Sequence, residues 1–220
     1  MCGRYVLTLA PEAMRALFAA EVVGDVPLEP NYNVCPTQQV PVVVSHAGGR
    51  AITAMRWGFV PHWAKALNDA PLLINARAET LAEKPAFRAA ARTRRCLIPA
   101  NGFYEWTKDE DGKRLPWFAY QKDNAAMVFA AIWQACTDPE GRRFRTVAIV
   151  TTLANVDLSP IHQRMPVILA PEDWPLWLGE SGPGAAVLMR PAPEGQVTAH
   201  RVDPAVNTMT AVGPKLLSRC

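Results

Sequence analysis

The sequence predicts an α+β fold, a single domain over residues 1–220 built on a curved, mostly antiparallel sheet or barrel with flanking helices. Three observations point there. Short β-branched or alternating runs recur along the chain, among them VPVVVS at 40–45, MVFAAIWQA at 127–135 and RTVAIVTT at 145–152. Twenty prolines favour many loops and short elements over long helices. No repeat, low-complexity tract or linker interrupts the chain, so nothing divides it into separate domains.

Taken in order, RYVLTL at 4–9 reads as a strand, and APEAMRALFAA at 10–20 as a helix with Pro11 in its first turn and Met14, Leu17 and Phe18 on one face. The strand 40–45 is closed by the turn HAGGR, and AITAMRWGFV at 51–60 again has strand character. RAETLAEKPAFRAAA at 77–91 is helical but divided by Pro85. RCLIPANGFYEWT at 95–107 predicts two short strands about a turn, followed by the polar tip KDEDGKR and the strand LPWFAYQ at 115–121. The strands at 127–135 and 145–152 are joined by CTDPEGRRF, a hairpin connection with Pro139 and Gly141. PEDWPLWLG at 171–179 is a short helix begun by its proline and stopped at Gly179, and GQVTAHRVDPAVNT at 195–208 alternates as a strand.

Composition narrows the function classes. Half the residues are hydrophobic and a fifth charged, the balance of a globular protein with a conventional core. The net charge of +3 is too small to identify a nucleic-acid binder without clustering. Arg88, Arg92, Arg94 and Arg95 do cluster, either as phosphate contacts or as a solvated helix end where cations meet the dipole. Five cysteines form no CxxC pair and follow no signal peptide, which predicts a reduced chain in the cytoplasm, nucleoid-associated if bacterial. No apolar run reaches the roughly 18 residues of a membrane helix, so no membrane partner is expected. His46, His62, His162 and His200 are scattered, and neither a metal nor another cofactor is expected.

Four polar stretches carry candidate chemistry: MCGRY, LLINARAET, ANGFYEW and IHQRMP. Removal of Met1 would leave Cys2 with a free α-amine and a thiol side by side, with ordinary pKa values of about 7.7–8.0 and about 8.5. An aldehyde condenses with that amine, and the thiol can close a thiazolidine ring. The alternative is a small buried cysteine in the first strand. Alternation sets Asn75 and Arg77 on one face of an extended segment, with Ala76 turned away, suited to an anionic polymer. Otherwise Asn75 caps a helix and Arg77 pairs with Glu79. Glu105, flanked by aromatic residues, either loses solvent and shuttles protons near neutrality or points to water from a strand's outer face. His162 and Arg164 lie in a loop before an apolar strand, a natural acid or base beside a phosphate anchor, or an idle loop pair.

Together MCGRY, NYNVCPTQ, RWGFVPHWAK, INARAET, CLIPANGFYEW and IHQRMPVIL have the order and register of one family. From Cys2 to about Asn207 the chain resembles the SOS response-associated peptidase (SRAP) family, whose members crosslink to abasic sites in single-stranded DNA. The resemblance implies a mixed fold around a barrel-like sheet, a positively charged channel for single-stranded DNA, and a thiazolidine between mature Cys2 and the ring-opened abasic sugar. It makes Cys2 the nucleophile and gives Asn75 its orientation. Glu105 would manage protons, and His162 would assist sugar-ring opening and crosslink reversal. Arg4, Asn33, Arg77 and Arg164 would hold the DNA backbone, and Trp63 would wedge or stack beside the lesion unless it packs in the core. Cys35 stands where alanine is more familiar, and the loop between Trp63 and Asn75 differs in length. The partner is single-stranded DNA containing abasic sites, and the protein is expected to be a monomer. Two other readings are a thiol autopeptidase or protease using Cys2 with His162 and Glu105, and a noncovalent single-strand binding module.

Overall fold

The computed structural model describes residues 2–64, 71–138 and 140–220, so Met1, Pro139 and most of the loop between Trp63 and Asn75 lie outside the described residues. The first half of the chain forms β1 (Arg4–Leu7), α1 (Pro11–Phe18), β2 (Ala20–Val22), β3 (Asn31–Val34), β4 (Gln39–His46), β5 (Gly49–Trp57), β6 (Asn75–Arg77) and α2 (Pro85–Thr93). Then come β7 (Arg95–Ala100), β8 (Gly102–Lys108), β9 (Arg114–Gln121), β10 (Met127–Thr137), β11 (Arg143–Leu153), β12 (Arg164–Pro166), α3 (Trp174–Leu178) and β13 (Val197–Arg201).

Strands β4, β5, β11, β10 and β7 close into a five-stranded barrel. Closure depends on a short parallel pairing, Thr146 opposite Arg56 and Val147 opposite Trp57, and it leaves no free edge between the two strands there. The long apolar runs supply the wall. Met127–Ile132 is buried without a break because one face fills the barrel and the other is covered by neighbouring elements. A second sheet, in the order β13-β9-β8-β1-β3, is antiparallel throughout. Tyr5, from β1, meets Trp57 and Phe129 edge-on at ring distances of 5.3 and 6.1 Å, joining the two sheets through one aromatic cluster.

Local chemistry sets the helix ends. Pro11 and Pro85 open α1 and α2, where a missing N–H costs nothing. Gly179, at φ 85°, closes α3. The face expected of α1 is narrower than the periodicity suggested: Met14 and Phe18 are buried, four residues apart, while Leu17 is 40% exposed on the flank. The strand expected over 195–208 stops at Arg201, because Asp203 accepts the N–H of Ala205 and starts a one-turn helix, Pro204–Asn207. Of the four clustered arginines, Arg88 and Arg92 are exposed on α2, while Arg94 and Arg95 have structural partners. Arg95 donates to the carbonyls of Ala91, Arg92 and Trp177, and Arg94 to Gln134.

Candidate active site

Cys2 begins the described chain and has no exposed surface. Three residues of β6 lie parallel to β11, with Asn75 opposite Ile149 and Arg77 opposite Thr151. That extended register buries Ala76 and turns Asn75 and Arg77 the other way. Asn75 does not cap the following turn; its Nδ2 donates to the carbonyl of Cys2 at 3.0 Å. The Oδ1 of the same amide is buried and has no hydrogen-bond partner among the described residues, an acceptor left available beside Cys2. Burial drives the Cys2 thiol far above its ordinary range, and the charge of Glu105 raises it further.

Glu105 sits on β8 opposite Trp117 and is only 5% exposed, so it does not point to water. Burial raises its carboxyl above 4.5, and the nearby positive charges of His162 and Arg114 act against that rise. The ring of His162 is held by its own loop: Nδ1 lies 2.9 Å from the backbone nitrogen and 3.2 Å from the carbonyl oxygen of Arg164. Glu105 and His162 share a cleft of about 320 Å³ with Gly3, Arg4, Trp106, Thr107, Lys108 and Arg114. A larger, mostly apolar cavity of about 650 Å³ lies between α2 and α3; Arg92 and Arg95 line it, but Cys2, Asn75, Glu105 and His162 do not.

The residues expected to grip a backbone differ in availability. Arg77 is exposed, and Trp63 is 53% exposed and edge-on to His62, so Trp63 is not a core residue. Arg4 lines the cleft but already donates to Asn33 Oδ1 and Val206 O, each at 2.8 Å. Asn33 is 3% exposed, and its Nδ2 donates to the carbonyls of Thr208 and Ala211 at 3.1 and 2.9 Å. Arg164, and not Arg77, pairs with Glu79, at 2.8 and 3.0 Å in a two-pronged contact.

Cys2, Asn75, Glu105 and His162 therefore converge from four distant parts of the chain. The model of the family described as "SOS response associated peptidase (SRAP)" matches residues 1–209. The chain belongs to the SRAP family. Among SRAP relatives it is 32% identical to the abasic site processing protein YoqW of Bacillus subtilis, over 99% of each chain. It is also 32% identical to the abasic site processing protein YedK of Escherichia coli, over 99% of each chain. The rat abasic site processing protein HMCES is 31% identical across 86% of this chain and 65% of its own length. A solved structure of a protein from Bacteroides thetaiotaomicron superposes over all of both chains with a TM-score of 0.87 at 25% identity.

The SRAP cleft includes residues that sequence reasoning did not single out. The Arg114 guanidinium lies over the Trp106 ring at 4.5 Å, and Trp106 Nε1 donates to Asn207 Oδ1 at 2.6 Å. Lys108 and Arg114 face each other across β8 and β9 and give this wall positive charge. The signal available was alternation: Trp106 and Lys108 are two apart on a strand whose partner brings Arg114 alongside.

Proposed function

We propose that this SRAP protein recognises abasic sites in single-stranded DNA and joins to them covalently through Cys2 once Met1 has been removed. The observation that carries the reading is the grip of Asn75 on the Cys2 carbonyl at 3.0 Å, beside a buried carboxyl group and a histidine held by its own loop. Holding that carbonyl anchors the Cα to which the α-nitrogen and the thiol-bearing side chain are both attached. The free amine attacks the sugar aldehyde and water leaves, giving an imine. The thiol sulfur then bonds to the imine carbon while its proton passes to the nitrogen, closing the thiazolidine without an oxidant or leaving group. Burial raises the Glu105 carboxyl above its ordinary range and sets it where it can deliver or accept a proton in these steps. His162, in the same cleft, is the ring that would assist opening of the sugar hemiacetal.

The wall formed by Arg4, Lys108 and Arg114, with Trp106 between them, suits phosphates and flanking bases, while Arg77 and the exposed Trp63 extend the contact. Asn33 supports this surface from below by holding Arg4 and residues 208–211 together. We place the activity in the cytoplasm, where reduced thiols persist.

A thiol protease fits less well. Its nucleophile needs a depressed thiol pKa, whereas burial raises that of Cys2. The aldehyde route begins at nitrogen and uses sulfur second. The test is incubation of Met1-free protein with a single strand carrying one abasic site, followed by denaturing electrophoresis. A denaturant-resistant adduct with the native protein and none with Cys2→Ala is expected; an equal adduct from Cys2→Ala would remove Cys2 from the reaction.

A further inference from the structure

Glu79 has no role in the chemistry above, yet it holds the cation expected to meet phosphate. Both of its oxygens take N–H groups of Arg164, at 2.8 and 3.0 Å. The same guanidinium donates to the Thr151 carbonyl at 2.7 Å and its hydroxyl at 3.3 Å. The Arg164 side chain is 12% exposed and that of Glu79 is 44% exposed, so the carboxylate lies on the solvent side of the cation. Two residues before Glu79, at the end of β6, Arg77 is exposed and forms no ion pair among the described residues.

Phosphate attraction is blind to the lesion, because intact and abasic strands carry the same backbone charge. A bare Arg164 beside Arg77 would hold undamaged strands as firmly as damaged ones. Specificity is a difference between two affinities, so it is raised by weakening the wrong complex as well as by strengthening the right one. We propose that Glu79 is a specificity determinant, a carboxylate that masks Arg164 and keeps intact single strands from being retained at the site. The inference rests on the single-strand reading above and adds to it the suppression of unproductive binding. A carboxylate at this position also repels an approaching phosphate, so masking and repulsion act in the same direction. The hydrogen bonds from Arg164 keep the Glu79 carboxyl below its ordinary range and hence charged at neutral pH.

The experiment measures binding of an undamaged single-stranded oligonucleotide across a salt series for the full-length protein. Glu79→Gln keeps the size of the side chain and removes its charge. It is expected to bind intact strand several-fold tighter and to steepen the log–log salt slope by about 0.7, one phosphate contact on a single strand. Arg164→Gln in the same background should abolish that gain. The exposed carboxylate of Glu83, neutralised as Glu83→Gln, serves as the control for bulk charge and should change binding far less. Unchanged or weaker binding by Glu79→Gln overturns the proposal, as does an equal gain from Glu83→Gln or a gain that survives loss of Arg164. Wild-type protein that binds and crosslinks abasic strands while Glu79→Gln is no tighter defeats this inference alone. Wild-type protein that forms no adduct defeats the reading beneath it.

Discussion

Removing the amide of Asn75 is the perturbation whose consequence the structure specifies most closely. The Nδ2–carbonyl bond of 3.0 Å ties Cys2 to β6, and Cys2 is fully buried, so its carbonyl has no bulk solvent to turn to. A buried polar group left without its partner costs about 1–3 kcal/mol. If that loss is felt in the transition state, where the α-nitrogen must point at the sugar carbon, crosslinking slows by roughly 5- to 150-fold, at 1.36 kcal/mol per tenfold. Asn75→Asp is the sharper variant, because it keeps the shape, deletes the donor and sets an anionic oxygen against the carbonyl. The assay is single-turnover adduct formation with a saturating abasic oligonucleotide, read on denaturing gels, alongside the melting temperature. The melting point should fall by about 2–12 °C, since 1 kcal/mol is worth about 2–4 °C at this size. Wild-type rates from a folded Asn75→Asp protein would show that Cys2 needs no such orientation.

The other predictions concern binding, pH and packing. Trp63→Ala leaves the melting temperature nearly unchanged, because the ring is 53% exposed, but weakens single-strand binding by about 1–3 kcal/mol as judged by fluorescence anisotropy. For Glu105 the native carboxyl titrates above its ordinary 4.5, so the native state holds the proton more tightly than the unfolded chain. Its contribution to stability is therefore lost as pH climbs from about 4.5 through the raised native value, and Glu105→Gln should flatten that decline in pH-dependent denaturant titrations. Gly102→Ala places a Cβ 2.4 Å from the Ala119 carbonyl and 2.6 Å from the Phe118 ring, a backbone clash that flexible side chains cannot relieve. A drop in melting temperature of more than about 5 °C, or failure to fold, is expected from overpacking of this kind.

Much of the sheet is legible because its strands are long and apolar: β10 and β11 stand out as β-branched runs, and the Asp138–Gly141 connection reads as a turn. The barrel's closure is not, since Thr146 and Arg56 are ninety residues apart and no local pattern encodes which distant edge a strand will meet. Strands of three residues, such as β6 and β12, are too short for a hydrophobic pattern to mark their ends or their sheet partners. At the site, motif order pointed to Cys2, Asn75, Glu105 and His162, which the fold brings together. What motif order did not reveal is how the cations are engaged. The Arg164–Glu79 pair spans eighty-five positions, and Asn33 is a buried tie to the C-terminal segment, not an exposed contact. Such long-range polar pairs follow from tertiary placement, so a residue's type announces its capacity and not its partner.

The most direct measurement is the intact mass of Met1-free protein after incubation with abasic single-stranded DNA, compared with the same protein acetylated at its α-amine. A stable mass gain equal to the oligonucleotide less one water is expected for the free amine, and none for the acetylated form. No gain with the free amine, or an equal gain after acetylation, would contradict covalent capture through the nitrogen and sulfur of Cys2.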